Sequence, residues 1–204
     1  MATSHETNRP VVFTIGHSNQ SLDSFVSLLM QHHIALLVDT RSVPLSRAAP
    51  QFNKPNLRSA LEAAGVLYVH KGKALGGRPR SEHFYDNEGH VRYNLVAETA
   101  LFQAAISSIE RGAKRESRMA LMCAEEDPLH CHRRLLVGRV LLHRGIAIEH
   151  IRRNGLVLSE EDLAKRFDDP TYHQVTMFSP GGDTEWRSTQ SVLPRRPPRT
   201  SSNA

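Results

Sequence analysis

Met119-Ala-Leu-Met-Cys-Ala-Glu-Glu-Asp-Pro-Leu-His-Cys-His-Arg-Arg134 sets a short apolar run directly against acids, a proline and a dense cluster of His, Cys and Arg. An apolar run this short, bounded by turn residues, predicts a strand buried on both faces. The residues after Pro128 predict a helix over 129–144, stopped by Gly145. A buried strand running through a polar turn into a helix is the unit from which parallel α/β sheets are built, so this stretch decides the fold class. Both cysteines of the chain, Cys123 and Cys131, lie within it. Packing needs no such density of reactive side chains on one turn; it marks the rim of a site.

The same unit recurs on either side. Val11-Val-Phe-Thr-Ile15 is a β-branched and aromatic run ended by Gly16, which predicts a strand, and Gly16-His17-Ser18-Asn19 is its turn. Ser21 can cap a helix whose Leu22, Phe25, Val26, Leu28 and Leu29 fall at helical spacing. A second strand, Ile34-Ala-Leu-Leu-Val38, ends in Asp39-Thr40-Arg41, and a loop punctuated by Pro44 and Pro50 comes next. A helix from Asn53 or Asn56 runs through Leu57, Leu61 and Ala64 to Gly65. Val66-Leu-Tyr-Val69 predicts a third strand, then a basic glycine loop, His70-Lys-Gly-Lys-Ala-Leu-Gly-Gly-Arg-Pro-Arg80. Residues 95–109 predict a helix, 118–123 and 146–151 the fourth and fifth strands, and 159–166 a short capped helix.

The expected fold is therefore α/β: a mainly parallel five-stranded sheet with helices on both faces, a Rossmann-like three-layer sandwich. Residues 11–178 form the single α/β domain, between a disordered N-terminus over 1–10 and a disordered, basic C-terminal tail over 179–204 rich in Pro, Ser, Thr and Arg. The hydrophobic fraction of 39% supports a core, and no apolar run approaches the ~20 residues of a membrane span. The polar N-terminus carries no signal-peptide pattern, so a cytoplasmic, reduced setting and free thiols are expected. A net charge of +5 permits a nucleic-acid or phosphate partner without demanding one.

In an open parallel sheet, ligands bind beyond the carboxyl ends of the strands. That edge collects His17 and Ser18 after strand one, and Asp39 and Arg41 after strand two. Lys71, Gly76, Gly77 and Arg78 come after strand three, and Cys123, Glu125, His130, Cys131, His132 and Arg133 after strand four. Thr14-Ile-Gly-His-Ser18, Val38-Asp-Thr-Arg-Ser-Val-Pro-Leu-Ser-Arg47, Leu75-Gly-Gly77 and Leu121-Met-Cys-Ala-Glu125 with Cys131-His-Arg133 resemble the motifs of the family called domain of unknown function 488. The resemblance runs in order from about Val11 to Ile151. It implies an α/β domain and brings no agreed reaction, so function has to be argued from the residues.

Asp39 and Glu125 are the candidate acids or bases, each the first or second acid past a strand on that edge; a salt-bridged or capping acid is the plainer reading. His17 is a third catalytic candidate, or a histidine bonded to backbone. Ser18, Arg41, Arg47, Lys71, Gly76, Gly77, Arg78, Cys131, His132 and Arg133 are the candidate substrate- and phosphate-binding positions. Cys131 near a helix N-terminus, beside His130, His132 and Arg133, favours a thiolate; the plainer reading is a packed thiol. Cys123, His130, Cys131 and His132 are suitable zinc or iron ligands, but paired structural-zinc spacing is missing and so is the zinc-deaminase pattern, so no cofactor is expected. Beyond the motifs, Gln174-Val-Thr-Met177-Phe178 resembles the short peptide with which bacterial DNA-maintenance proteins dock on the sliding clamp.

The leading functional expectation is a nucleic-acid-directed enzyme, a hydrolase or glycosylase acting on an abnormal DNA base. Asp39 or Glu125 would orient water or stabilise a cationic sugar. Arg41, Arg47, Lys71, Lys73, Arg78 and Arg133 would meet phosphates, and Phe52, Phe84, Tyr85 and Tyr93 would stack an extruded base. The alternatives are sulfur or acyl transfer by Cys131, with His17 or His132 as base, and a non-enzymatic DNA-maintenance adaptor docking through Gln174, Met177 and Phe178.

Overall fold

The computed structural model describes residues 9–115, 117–167 and 186–192. In chain order the elements are β1 (Val11–Gly16), α1 (Leu22–Gln31), β2 (Leu36–Asp39), α2 (Lys54–Ala63), β3 (Leu67–His70), α3 (Gly72–Leu75), α4 (Tyr93–Glu98), α5 (Ala100–Lys114), β4 (Met119–Cys123), a π-helical turn (Arg133–Gly138), α6 (Arg139–His143), β5 (Ala147–Ile151), β6 (Val157–Ser159) and α7 (Glu160–Phe167). One sheet holds all six strands in the order β3-β2-β4-β1-β5-β6. The first five are parallel, and β6 pairs antiparallel with β5.

The expected α/β three-layer sandwich is present, with a sixth strand. β6 is only three residues long and returns from β5 through a tight turn, in which Gly155 sits at φ +80° and Arg152 N–H donates to the Leu156 carbonyl at 2.8 Å. So short a segment carries no period to read.

Side chains alternate between the two faces of the sheet, as strand geometry requires. Val12, Val38, Met119 and Leu121 pack with the helical layer that supplies Phe102, Ile106, Leu136 and Leu141. Phe13, Leu37, Ala120 and Met122 pack on the opposite face with Phe25, Leu29, Leu57 and Leu61 of α1 and α2. The helix expected over 95–109 is broken at Thr99, whose extended backbone ends α4 and whose hydroxyl caps α5 by accepting from Phe102 N–H at 3.3 Å. The helix expected over 129–144 opens instead as a π-turn, a wide turn in which Arg133 and Arg134 are both buried.

Residues 186–192, assigned on composition to the disordered tail, are packed onto the domain. Trp186 donates its indole N–H to the Leu135 carbonyl at 2.8 Å and lies under the Arg139 guanidinium, while Ser188 is buried beside Val91. Pro- and Ser-rich composition around it hid this single aromatic anchor. Gln174, Met177 and Phe178 lie outside the described residues. No helix among the described residues is long and apolar enough to cross a membrane.

The topology fixes where a ligand can sit. The connection leaving β1 leads through α1 to β2 on one side of the sheet, whereas that leaving β4 leads through α6 to β5 on the other. Neighbouring strands whose connections diverge leave a crevice at their carboxyl ends. Here that point lies between β1 and β4.

Candidate active site

The loops after β1 and β4 are stitched together at the switch point. His17 N–H donates to the Cys123 carbonyl at 3.0 Å and Ser18 N–H to the Ala124 carbonyl at 2.8 Å. So close an approach requires a glycine: a Cβ on Gly16 would stand 1.8 Å from the Glu125 carbonyl oxygen. Behind the loop, the Arg133 guanidinium is 1% exposed and donates to the Glu125 and Glu126 carbonyls and, through Nε at 3.4 Å, to the Thr14 hydroxyl. Arg133 thus organises backbone and is not turned toward a ligand. Glu126 is held by Arg152 at 2.9–3.0 Å, which leaves the exposed Glu125 side chain as the acid at the crevice mouth, with Asp127 beside it.

The crevice has a volume of about 470 Å³. His17, Arg41, Gly77, Arg78, Glu125, Cys131 and His132, all candidates from the sequence, line it together with Cys123 and His130. Val43 and Leu45, Tyr93, and Ser188 with residues 190–192 add to the wall; no motif places the last of these there. Ser18, Asp39, Arg47, Lys71, Gly76 and Arg133 are not part of the lining.

Asp39 stands behind Arg41. Its carboxylate is fully buried; Oδ1 accepts from the Arg41 backbone N–H and Nε at 3.0 Å, and Oδ2 from Arg41 Nη2 at 2.7 Å and the Tyr68 hydroxyl at 2.8 Å. Every lone pair that could take a substrate proton is occupied, so Asp39 acts on the crevice by holding Arg41. Arg41 in turn donates to His17 Nε2 at 3.2 Å and to the Phe52 carbonyl at 2.9 Å. Because arginine only donates, His17 accepts at Nε2 and carries its proton on Nδ1, which meets the Ser18 carbonyl at 2.8 Å. The ring stacks on Phe52 at 4.3 Å. Burial, helped by the neighbouring Arg41, lowers its pKa to about 4, so the ring is neutral at physiological pH. Phe52 is fully buried under that stack, and among the expected stacking aromatics only Tyr93 reaches the lining.

The floor is the sulfur and imidazole cluster. His132 Nδ1 lies 3.6 Å from Cys123 Sγ and 3.8 Å from Cys131 Sγ, and Nε2 faces the Thr40 carbonyl at 3.3 Å. A carbonyl only accepts, so in the neutral ring the proton is on Nε2 and the Nδ1 lone pair points at the thiols. Burial opposes ionisation of Cys131, but the hydrogen bond with Cys123 and the nearby Arg133 and His132 outweigh it and bring that thiol well below its ordinary range. The same bond, together with burial, pushes Cys123 well up. His130 sits on the exposed rim and does not converge on this cluster. Gly77 makes room for the imidazole: a Cβ there would meet His132 Cγ at 2.7 Å.

A second buried polar chain lies behind β1, and no motif announces it. The Thr14 hydroxyl lies 2.8 Å from His150 Nδ1, His150 Nε2 lies 2.7 Å from Glu160 Oε2, and Glu160 Oε1 accepts from Arg134 Nε at 2.7 Å. Thr14 and His150 are 136 positions apart, beyond the reach of any local pattern. Only the odd occurrence of Thr14 and His150 inside apolar strands hinted at burial with partners.

Searches of curated proteins and of solved structures found no match. The model of the family described as "Domain of unknown function DUF488" matches residues 21–140, a span that carries β2 with Asp39 and Arg41, the glycine loop and the whole Cys-His-Arg turn. With most of the chain matched, and with every site motif but Thr14–Ser18 inside the match, the protein belongs to the DUF488 family.

Proposed function

We propose that the crevice is the active site of a hydrolase acting on a nucleotide unit of a nucleic acid, with cleavage at the bond between base and sugar. One observation carries the reading. An exposed carboxylate, Glu125, stands at the mouth of a pocket of about 470 Å³ whose lining also carries the Arg78 cation and the apolar Val43 and Leu45 side chains. That volume lies within the roughly 300–1,000 Å³ of small-ligand pockets, large enough for one base with its sugar and too small for a duplex. A target base would therefore have to be taken out of the stack.

Within this reading Glu125 orients the attacking water or stabilises the cationic sugar as the bond breaks. Arg78, with the exposed Lys71 and Lys73 on the same loop, meets the phosphates. Val43, Leu45 and Tyr93 take the base face. Asp39, Arg41 and His17 form the supporting wall.

The test measures binding of single-stranded and mismatched duplex oligonucleotides by fluorescence anisotropy across salt concentrations, then base release by wild type, Glu125→Gln and Arg78→Ala. Expected are binding that weakens as salt rises, weaker binding in Arg78→Ala, and base release lost in Glu125→Gln with binding retained. No binding at low salt ends the proposal.

A further inference from the structure

We infer that Cys123, Cys131 and His132 form a binding site for one zinc ion, with three protein ligands and a fourth coordination position that opens into the crevice. The inference goes beyond the hydrolase reading and does not depend on it.

The donor atoms Cys123 Sγ, Cys131 Sγ and His132 Nδ1 all lie within 4.8 Å of one another. Tetrahedral zinc holds sulfur at about 2.3 Å and imidazole nitrogen at about 2.0–2.1 Å, which places an S···N edge of the tetrahedron at about 3.6 Å. The two S···N separations here are 3.6 and 3.8 Å. Two edges of a coordination tetrahedron therefore already have about the length that zinc requires, and the third, between the two sulfurs, is no longer than 4.8 Å.

The surroundings fit as well. A metal-bound imidazole characteristically donates its other N–H to a carbonyl or carboxylate, which fixes the ring and the coordinating nitrogen. The Thr40 carbonyl stands 3.3 Å from His132 Nε2 in that position. Thr40 is itself tied to β4, its N–H and hydroxyl both donating to the Met122 carbonyl at 2.9 and 2.8 Å. Gly77 leaves the space that the ring occupies.

Two thiolates and an imidazole select a soft or borderline ion, and zinc is the redox-inert member of that group. Structural zinc sites are closed by four protein ligands. Here three converge, all three line the crevice, and His130 stays on the rim. The open position is that of a site that can polarise a ligand in the crevice.

The spacing Cys-x7-Cys-His resembles none of the paired-ligand patterns, which is why adjacent Cys131 and His132 did not predict convergence. Cys131 and His132 stand immediately before the π-turn, which starts at Arg133, and there the imidazole lies beside both Cys131 and Cys123 at the end of β4.

The test uses the full chain, stripped with a chelator and kept reduced. Zinc is titrated against a chromophoric chelator, and cobalt(II) is titrated in parallel as a spectroscopic substitute. One equivalent bound, with a thiolate-to-cobalt charge-transfer band and the intense visible bands of tetrahedral cobalt, is the expected result. Cys123→Ser, Cys131→Ser and His132→Gln should each lose the band or the stoichiometric uptake, while His130→Ala keeps both. Circular dichroism checks that each variant folds. If a ligand variant unfolds, the wild-type cobalt spectrum alone decides: no uptake, or uptake without a charge-transfer band, overturns the site. Uptake unchanged in all three folded ligand variants overturns it equally. Zinc uptake without oligonucleotide binding would refute only the hydrolase reading, and base release by protein that takes up no zinc would refute only the metal site.

Discussion

Two polar clusters sit on adjacent strands, and they look more alike in chemistry than in consequence. On β1, Thr14 with His150 and Glu160 reproduces the hydroxyl, imidazole and carboxylate of a nucleophilic triad, with contacts of 2.8 and 2.7 Å. On β4, Cys123 with Cys131 and His132 offers two thiols and an imidazole. The first cluster is sealed: Thr14 and His150 are 0% exposed, Glu160 is 6% exposed, and none of them lines the crevice. The second is also largely buried, yet all three of its side chains line the crevice. A constellation of reactive groups becomes a site only where a substrate atom has room beside it. Where it does not, the same groups are a buried hydrogen-bond network whose value is structural.

The contrast breaks most readily at Glu160. Its carboxylate bridges Arg134 and His150, both buried. Glu160→Ala leaves the Arg134 charge beside a lost partner and is expected to lower unfolding free energy by about 3–5 kcal/mol in urea titrations. Zinc uptake and oligonucleotide binding should survive wherever the variant is folded. A loss under about 1 kcal/mol would mean that the sealed chain is not structural.

Acid should act on the same cluster. Desolvation lowers the His150 pKa below 6.5 in the folded state, outweighing Glu160; Arg133 and Arg134 on the π-turn add in the same direction. The unfolded state then binds more protons as pH falls below about 6.5, so stability is fully present above that pH and declines beneath it. Unfolding midpoints measured between neutral pH and pH 5 should fall monotonically. In His150→Gln the slope should shrink without vanishing, because His17, whose pKa burial lowers to about 4 in the folded state, also takes up a proton only in the unfolded chain over this range. A slope unchanged by His150→Gln would refute the assignment.

A smaller change makes the comparison sharper. Thr14→Val keeps the shape and removes the hydroxyl, leaving His150 Nδ1 without its partner, for an expected loss of about 1–2 kcal/mol. A buried network predicts no change in turnover per folded molecule. If base release disappeared while the circular dichroism spectrum held, Thr14 would be a nucleophile and the sealed cluster would be the active one.

How much of this was legible in the chain depends on the range of each interaction. Strand and helix types rest on local periodicity, so β1 to β5 and their shared carboxyl edge could be read from runs such as Val11-Val-Phe-Thr-Ile15 and the turn residues that end them. Side-chain direction could not. Asp39 ends β2 and Glu125 lies two residues past β4 on the same edge, but Arg41 and Tyr68 fold over Asp39 whereas the Glu125 side chain stays exposed. Arg133 looked like an anion-binding cation and instead ties down two carbonyls, since its place on the π-turn faces it inward. The Thr14, His150 and Glu160 chain links segments far apart in sequence, and Trp186 meets a carbonyl 51 positions before it, that of Leu135. Contacts of this kind depend on strand order, which no local stretch encodes.

Glu125→Gln separates scaffold from chemistry most finely. The loop is held through the Glu125 carbonyl, not its carboxylate, because Arg133 bonds the backbone and the side chain is exposed. Replacing one terminal oxygen by nitrogen therefore spares every contact that fixes the loop, and unfolding free energy should stay within about 0.5 kcal/mol of wild type. Oligonucleotide affinity should hold or rise slightly, since a negative charge at the mouth is removed. Turnover should nevertheless disappear, because an amide cannot accept the proton or stabilise the sugar cation as a carboxylate does. Retained turnover would move the chemistry from the rim to the floor, where Cys123, Cys131 and His132 are the groups left to carry it.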